Sequence, residues 1–143
     1  MYEKYAWVII AIIGALILAG GIPHVLGDNS SPEIVESFVG MSISEFKASN
    51  QNFYDVYDYY FRGGGWSDMG FGFFVLVTSA TAYRRGERWA WNILWSVPVF
   101  FLGHAAIALN FGQSTASLIP FLSVFVVLSI LGLLIPIRKF FPK

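Results

Sequence analysis

Four stretches of the chain are apolar and long enough to read as helices through a bilayer. A crossing takes about 20 mostly apolar residues, because the hydrocarbon layer is about 30 Å thick and a helix rises about 1.5 Å per residue. The first stretch runs from Ala6 to Leu26, carries no charge, and is interrupted only by Gly20, Gly21 and Pro23 near its end. The second runs from Trp66 to Tyr83 with Asp68 near its start; its helix has room to begin earlier, in the aromatic stretch from Tyr54. The third covers 89–109 and contains Pro98 and His104, and the fourth covers 116–137 with Pro120 and Pro136. Interior prolines are tolerated in membrane helices when neighbouring groups satisfy the freed carbonyl, and a kink is predicted near Pro98. The pattern predicts an all-α fold: a four-helix transmembrane bundle forming one domain over 1–143. A cleaved signal peptide is the competing reading of the N-terminus. The apolar run there exceeds the usual 7–15 residues of such a segment, roughly, so a retained span is preferred.

Only residues 27–65 form a sizeable polar stretch, too long for a plain connector. Ser30-Ser31-Pro32-Glu33 reads as a helix start, followed at helical spacing by Ile34, Val35, Phe38 and Val39 and stopped by Gly40. Ser42-Ile43-Ser44-Glu45 reads as a capping box with Ile43 and Phe46 on one face. Short amphipathic helices are therefore expected in this segment. Tyr54, Tyr57, Tyr59, Tyr60, Phe61 and Trp66 suit the headgroup layer, where an aromatic ring sits in apolar surroundings with a wet tip. Gly63-Gly64-Gly65 supplies freedom to bend before the second span. Asn29-Ser30-Ser31 matches a glycosylation acceptor, and Asn29 is retained as a candidate for that modification.

Composition strengthens the membrane reading. Of 143 residues, 56% are hydrophobic and only 13% charged, against about 25% charged in typical soluble domains. Mean hydropathy is +0.61. There is no cysteine, which removes disulfides, thiolate catalysis, iron–sulfur clusters and cysteine-ligated zinc together. Formal net charge is zero, so nothing in the overall balance points to nucleic acid.

The charges sort by side. Lys4, Arg84, Arg85, Arg88, Arg138, Lys139 and Lys143 fall at the N-terminus, the second turn and the C-terminus, three places that share one side if there are four spans. The other side holds Lys47 and Arg62 together with Asp28, Glu33, Glu36, Glu45, Asp55 and Asp58. Lys and Arg are retained on the cytoplasmic face, so both termini and the turn containing Arg84, Arg85, Glu87 and Arg88 are expected there, and the protein is expected in the cell membrane as a multi-pass chain. Ala11, Ala15 and Ala19 recur at four-residue spacing in the first span, a stripe suited to close helix approach.

This orientation places His24, Asp68 and His104 in the outer leaflet, with Arg62 just above and Asn110 at the outer end of the third span. Ionisable residues inside a bilayer are costly and often functional. A structural cluster, with Asp68 paired to Arg62 or a histidine, is the leading reading. A metal site on two imidazoles and a carboxylate, a haem held by the two histidines, a quinone or lipid pocket, and proton-coupled transport are the alternatives. No local metal, phosphate-loop or nucleophile motif accompanies them.

Residues 32–95 carry Gly40-Met41-Ser42 with Glu45, an aromatic segment ending in Arg62, a glycine-rich second span, and Arg84-Arg85-Gly86-Glu87-Arg88-Trp89-Ala90-Trp91. This pattern resembles small four-span prokaryotic membrane proteins of uncharacterised activity, and the overall layout is similar to DoxX-like proteins. The resemblance implies a four-helix membrane fold and brings no catalytic residue. The expectation is a non-catalytic accessory or structural subunit of a larger membrane complex, with the bilayer and other membrane subunits or further copies of itself as partners and no cofactor. The alternative is a small redox, metal- or lipid/quinone-binding protein using His24, Asp68 and His104.

Overall fold

A computed structural model describes residues 4–27, 36, 40–110 and 115–141, the side chains of 115–117 excepted. Among these residues the chain is all-α, with no strand. The helices are α1 (Ala6–Val25), α2 (Ile43–Ser49), α3 (Gln51–Thr78), α4 (Arg88–Leu94), α5 (Ser96–Asn110), α6 (Thr115–Leu134) and α7 (Ile137–Phe140), and α3 is continued by a π turn over Ser79–Tyr83. The expected helix near 32–39 and the acceptor Asn29 lie outside the described residues, although Gly40, at φ +71°, closes a turn there by donating to the Glu36 carbonyl. The chain divides into two compact units, one of Met1–Leu16 with Gly72–Lys143 and one of Ile17–Phe71.

Three element boundaries differ from expectation, each for a local reason. The first concerns 27–65: α3 already begins at Gln51, ahead of the aromatic stretch from Tyr54, and takes up the second half of that segment. α3 runs unbroken through Gly63-Gly64-Gly65. Glycine lowers helix propensity by about 1 kcal/mol without removing a hydrogen bond, and apolar packing outweighs that. The second lies in the expected third span, which breaks into α4 and α5 at Trp95, slightly ahead of Pro98. Proline has no amide hydrogen to give the carbonyl four residues back, that of Leu94, and the chain tightens there, with the Trp95 amide donating to the Asn92 carbonyl at 3.4 Å. The third is α6, which stops at Leu134 because Pro136 cannot continue it.

In the unit Met1–Leu16 with Gly72–Lys143, Ile10, Val75, Ala82, Tyr83, Leu94, Val97, Leu133 and Phe140 form the buried core. Phe101 and Phe125 stack with centroids 5.0 Å apart and join α5 to α6. Close backbone approach rests on glycine. A Cβ at Gly14 would lie 2.6 Å from the Leu76 amide nitrogen and 3.0 Å from the Gly72 carbonyl oxygen. In the unit Ile17–Phe71 the same device recurs seven residues along each helix, where a Cβ at Gly21 would lie 2.5 Å from the Gly65 carbonyl oxygen. Of the alanine stripe, Ala11 is buried whereas Ala15 and Ala19 are exposed. The contact surface of α1 is therefore set by Gly14 and Gly21. A hydrogen in place of a methyl lets backbones approach closest.

Two turns follow their sequence signals closely. Ser42 caps α2 as a complete capping box: its hydroxyl accepts from the Glu45 amide at 3.2 Å, and the Glu45 carboxylate accepts from the Ser42 amide at 2.9 Å. After the π turn, Gly86 takes φ +87° and its amide donates to the Tyr83 carbonyl, while the Glu87 amide donates to that of Ala82. These two bonds are the left-handed glycine stop of a helix.

Candidate functional site

Most polar side chains that sequence reasoning singles out are engaged with backbone or with aromatic rings. In the unit Ile17–Phe71, Arg62 sits on α3 two turns before Met69. Its Nε donates to Asp58 at 2.7 Å and its Nη1 donates to the Val25 carbonyl at 3.2 Å. Arg62 thus pairs with Asp58, one helical turn back. It also places a cation on the last carbonyls of α1, where the helix dipole favours positive charge. Gly27 at φ +77° makes room, since a side chain there would meet the guanidinium.

His24 packs its ring against Phe61 with centroids 4.7 Å apart. Phe61 continues a line of rings: Tyr57 stacks on it at 5.6 Å, Tyr54 contacts Tyr57 at 6.0 Å, and Phe46 meets Tyr54 edge-on at 6.4 Å. The Lys47 ammonium lies 4.8 Å from the Tyr54 ring centre. This line fastens α2 to α3 and ends on α1. Asp68 is half-buried on α3.

His104 belongs to the other unit, in the middle of α5. Its Nδ1 lies 3.0 Å from the Phe100 carbonyl, one helical turn back, which puts the proton on Nδ1. Its ring also packs on Phe100 at 4.3 Å. Asn110 is exposed at the end of α5. Among the described residues, which include His24, Asp68 and His104, no three histidine or carboxylate side chains gather as a metal-holding group.

The turn of Arg84, Arg85, Glu87 and Arg88 is the most densely bonded polar region, and all of it falls in the unit Met1–Leu16 with Gly72–Lys143. The Arg84 guanidinium lies 5.0 Å from the Trp7 ring, and that of Arg88 lies 5.3 Å from Phe141. Arg88 Nε donates to the Phe140 carbonyl at 2.8 Å, and Lys139 Nζ donates to the carbonyl of Arg84. Arg85 pairs with Glu87 at 2.7 Å, and Trp89 Nε1 donates to the same carboxylate at 2.5 Å. The Arg85 and Trp89 hydrogen bonds hold the Glu87 carboxyl below the usual carboxylate range.

Sequence reasoning missed a group of side chains that finish helix ends. Helix termini leave four carbonyls without partners. At the end of α6 the Gly132 carbonyl would normally receive the amide of residue 136, but Pro136 has none. The buried Tyr83 hydroxyl donates to it at 2.6 Å. Trp91 Nε1 donates to the next carbonyl, that of Leu133, at 2.9 Å. Tyr83 also stacks on Phe140 at 4.8 Å. The signal that was available is the spacing Gly132 to Pro136, which announces an orphan carbonyl but not its donor.

Among the described residues the arrangement is all-α, and two helical stretches, Ala6–Val25 and Arg88–Asn110, are long and apolar enough to cross a membrane. Comparison with known proteins adds no relative: no family model, no curated protein and no solved structure matches the chain.

Proposed function

We propose that the protein is a four-span membrane protein with both termini and the Arg84–Arg88 turn in the cytoplasm, acting as a non-catalytic structural or accessory subunit of a larger membrane assembly. The observation that carries the membrane reading is the outward display of large apolar side chains along the helices. Val99 is 64% exposed, Ile107 58%, Phe121 57% and Ile12 54%. In the two longest apolar stretches only 33% and 28% of the apolar window is buried, whereas a core helix of a soluble protein buries most of its length. Soluble monomers rarely expose contiguous apolar surface on this scale. α6 and the second half of α3 supply the other two crossings, and the sorting of Lys and Arg supports the sidedness.

The structural role is supported by what the polar groups do. Arg62, Tyr83, Arg88, Trp91 and Lys139 each donate to a main-chain carbonyl on another helix or turn. His104 bonds its own preceding turn. In a medium without water this is the work polar groups must do first.

Because the chain has no cysteine, single introduced cysteines report sidedness cleanly. Ala48→Cys is expected to react with a membrane-impermeant maleimide in intact cells, and Glu87→Cys only after permeabilisation. Reaction of both from the same side would overturn the topology. Native purification in a mild detergent tests the role: co-migration with larger subunits is expected, and a lone species carrying stoichiometric metal, haem or quinone would overturn it.

A further inference from the structure

We propose that the face built by the Arg84–Arg88 turn and the α7 segment is a binding site for the headgroup of an anionic phospholipid, centred on Arg84 and Lys139. The proposal rests on the membrane reading above and adds a ligand to it.

Six of this unit's described residues are cations, Lys4, Arg84, Arg85, Arg88, Arg138 and Lys139, and all are exposed. One described carboxylate, Glu87, stands among them, and it is saturated by Arg85 and the Trp89 indole. Among the described residues Arg85 is the only one of the six in an ion pair. Among the described residues the other five cations have no carboxylate partner. An anion is the missing partner.

The cations at the centre are held in place. Trp7 lies under the Arg84 guanidinium, Phe141 lies against that of Arg88, and the Arg84 carbonyl receives one of the three Lys139 ammonium hydrogens. None of these contacts uses a carboxylate. The Arg84 guanidinium and two Lys139 hydrogens remain to face a phosphate, which takes charge-assisted bonds from both residue types. Beneath them Trp7, Tyr83, Pro136, Lys139 and Phe140 close a seam too tight to admit water. The headgroup therefore sits on the outer rim and does not enter a cavity.

The surroundings favour a lipid over a dissolved anion. Trp89 is 52% exposed, Phe141 42% and Ile137 40%. Aromatic and aliphatic side chains at the level of the cations suit the boundary between headgroups and acyl chains. They offer nothing to free phosphate. Clusters of four to eight basic residues at the cytoplasmic end of membrane helices attract anionic lipid, each charge strengthening the attraction by roughly fivefold.

The test uses the full chain in detergent, titrated with phosphatidylglycerol or with phosphatidylcholine of the same acyl chains and read by native mass spectrometry. One retained phosphatidylglycerol is expected, at least fivefold tighter than phosphatidylcholine and weakened by salt. Arg84→Gln with Lys139→Gln should lower that preference about 25-fold; glutamine keeps a donor for the Arg84 carbonyl, and an unchanged melting temperature confirms the fold. Lys139→Arg should restore most of the binding to the Lys139→Gln protein, and Arg85→Gln, which removes one charge beside the site, should lower it by no more than about fivefold. Equal retention of the two lipids overturns the proposal, as does equal loss in the Arg85 and Arg84/Lys139 variants. Displacement of phosphatidylglycerol by millimolar inorganic phosphate assigns the site to free phosphate and overturns it likewise. Release of the protein from membranes by alkaline carbonate would instead refute the membrane reading.

Discussion

Two adjacent glycines in α3 should respond to the same substitution with opposite sign. A Cβ at Gly65 would lie 2.7 Å from the His24 Cβ, 2.8 Å from the Gly21 carbonyl oxygen and 2.9 Å from the Val25 amide nitrogen. All three obstacles are backbone or backbone-anchored atoms, so no flexible side chain can swing away to relieve them. At Gly64 a Cβ meets nothing within 4 Å. Replacing an interior helical glycine by alanine gains roughly 0.5–1 kcal/mol through reduced chain entropy, and both positions collect that gain. Overpacking a close contact costs about 1–3 kcal/mol. The difference between Gly65→Ala and Gly64→Ala therefore isolates the steric term, since the propensity term cancels. It should amount to about 1–3 kcal/mol, or roughly five- to 160-fold in the folding equilibrium. Reversible unfolding of the two variants in mixed detergent and SDS, followed by tryptophan fluorescence, measures it. Gly64→Ala should match or exceed the parent in stability and Gly65→Ala should fall below it. Equal midpoints for the two would refute the close approach of α1 to α3 at this point.

Other predictions are smaller. Tyr83→Phe removes the only described side-chain donor to the Gly132 carbonyl and should destabilise by about 1 kcal/mol, with faster amide exchange at the end of α6. Gly86→Ala places a side chain at φ +87° and should cost about 1–2 kcal/mol in the same unfolding assay. The Glu45 carboxyl is held below its ordinary range by the Ser42 side-chain bond first and the Ser42 amide second. A depressed folded-state pKa gives stability that is present above the unfolded-state value and lost as pH falls through the folded-state value. Exchange protection of α2 should therefore be flat above about pH 5 and drop below about pH 4. In Glu45→Gln that step should vanish.

How much of this was legible in the sequence depends on whether a feature is local. The capping box at Ser42 and the break announced by Pro98 are each decided within a few residues, and each occurs close to where the pattern put it. The choice of contact face on α1 was not local. Alanine spacing favoured Ala11, Ala15 and Ala19, but the face is chosen by which partner residues also lack a side chain, and these are Gly65 and Gly72, far along the chain. Arg62 illustrates the same limit in the candidate site. Asp58 lies one helical turn from Arg62 and so within its reach, but the second contact of Arg62, to the Val25 carbonyl, depends on where α1 ends and is not written in the local sequence.

Carbonyl capping also bears on how the titratable residues should be interpreted. A basic residue in an apolar chain invites a functional reading, yet Arg62, Arg88 and Lys139 each hold a main-chain oxygen. Loss of any of them leaves that oxygen without the donor it has here, a folding defect that would resemble loss of function in a phenotype assay. Charge-conserving and donor-conserving replacements separate the two. A glutamine at 139 keeps a donor and removes a charge, whereas an arginine keeps both. If the face of Arg84, Arg88 and Lys139 serves only to finish helices, the two should behave alike, and a difference between them measures the charge alone. His104 is open to the same separation. Its Nδ1 donates to the Phe100 carbonyl, so asparagine at 104, which still carries a donor, retains the helix contact while removing the imidazole. Any activity that survives His104→Asn does not depend on that ring.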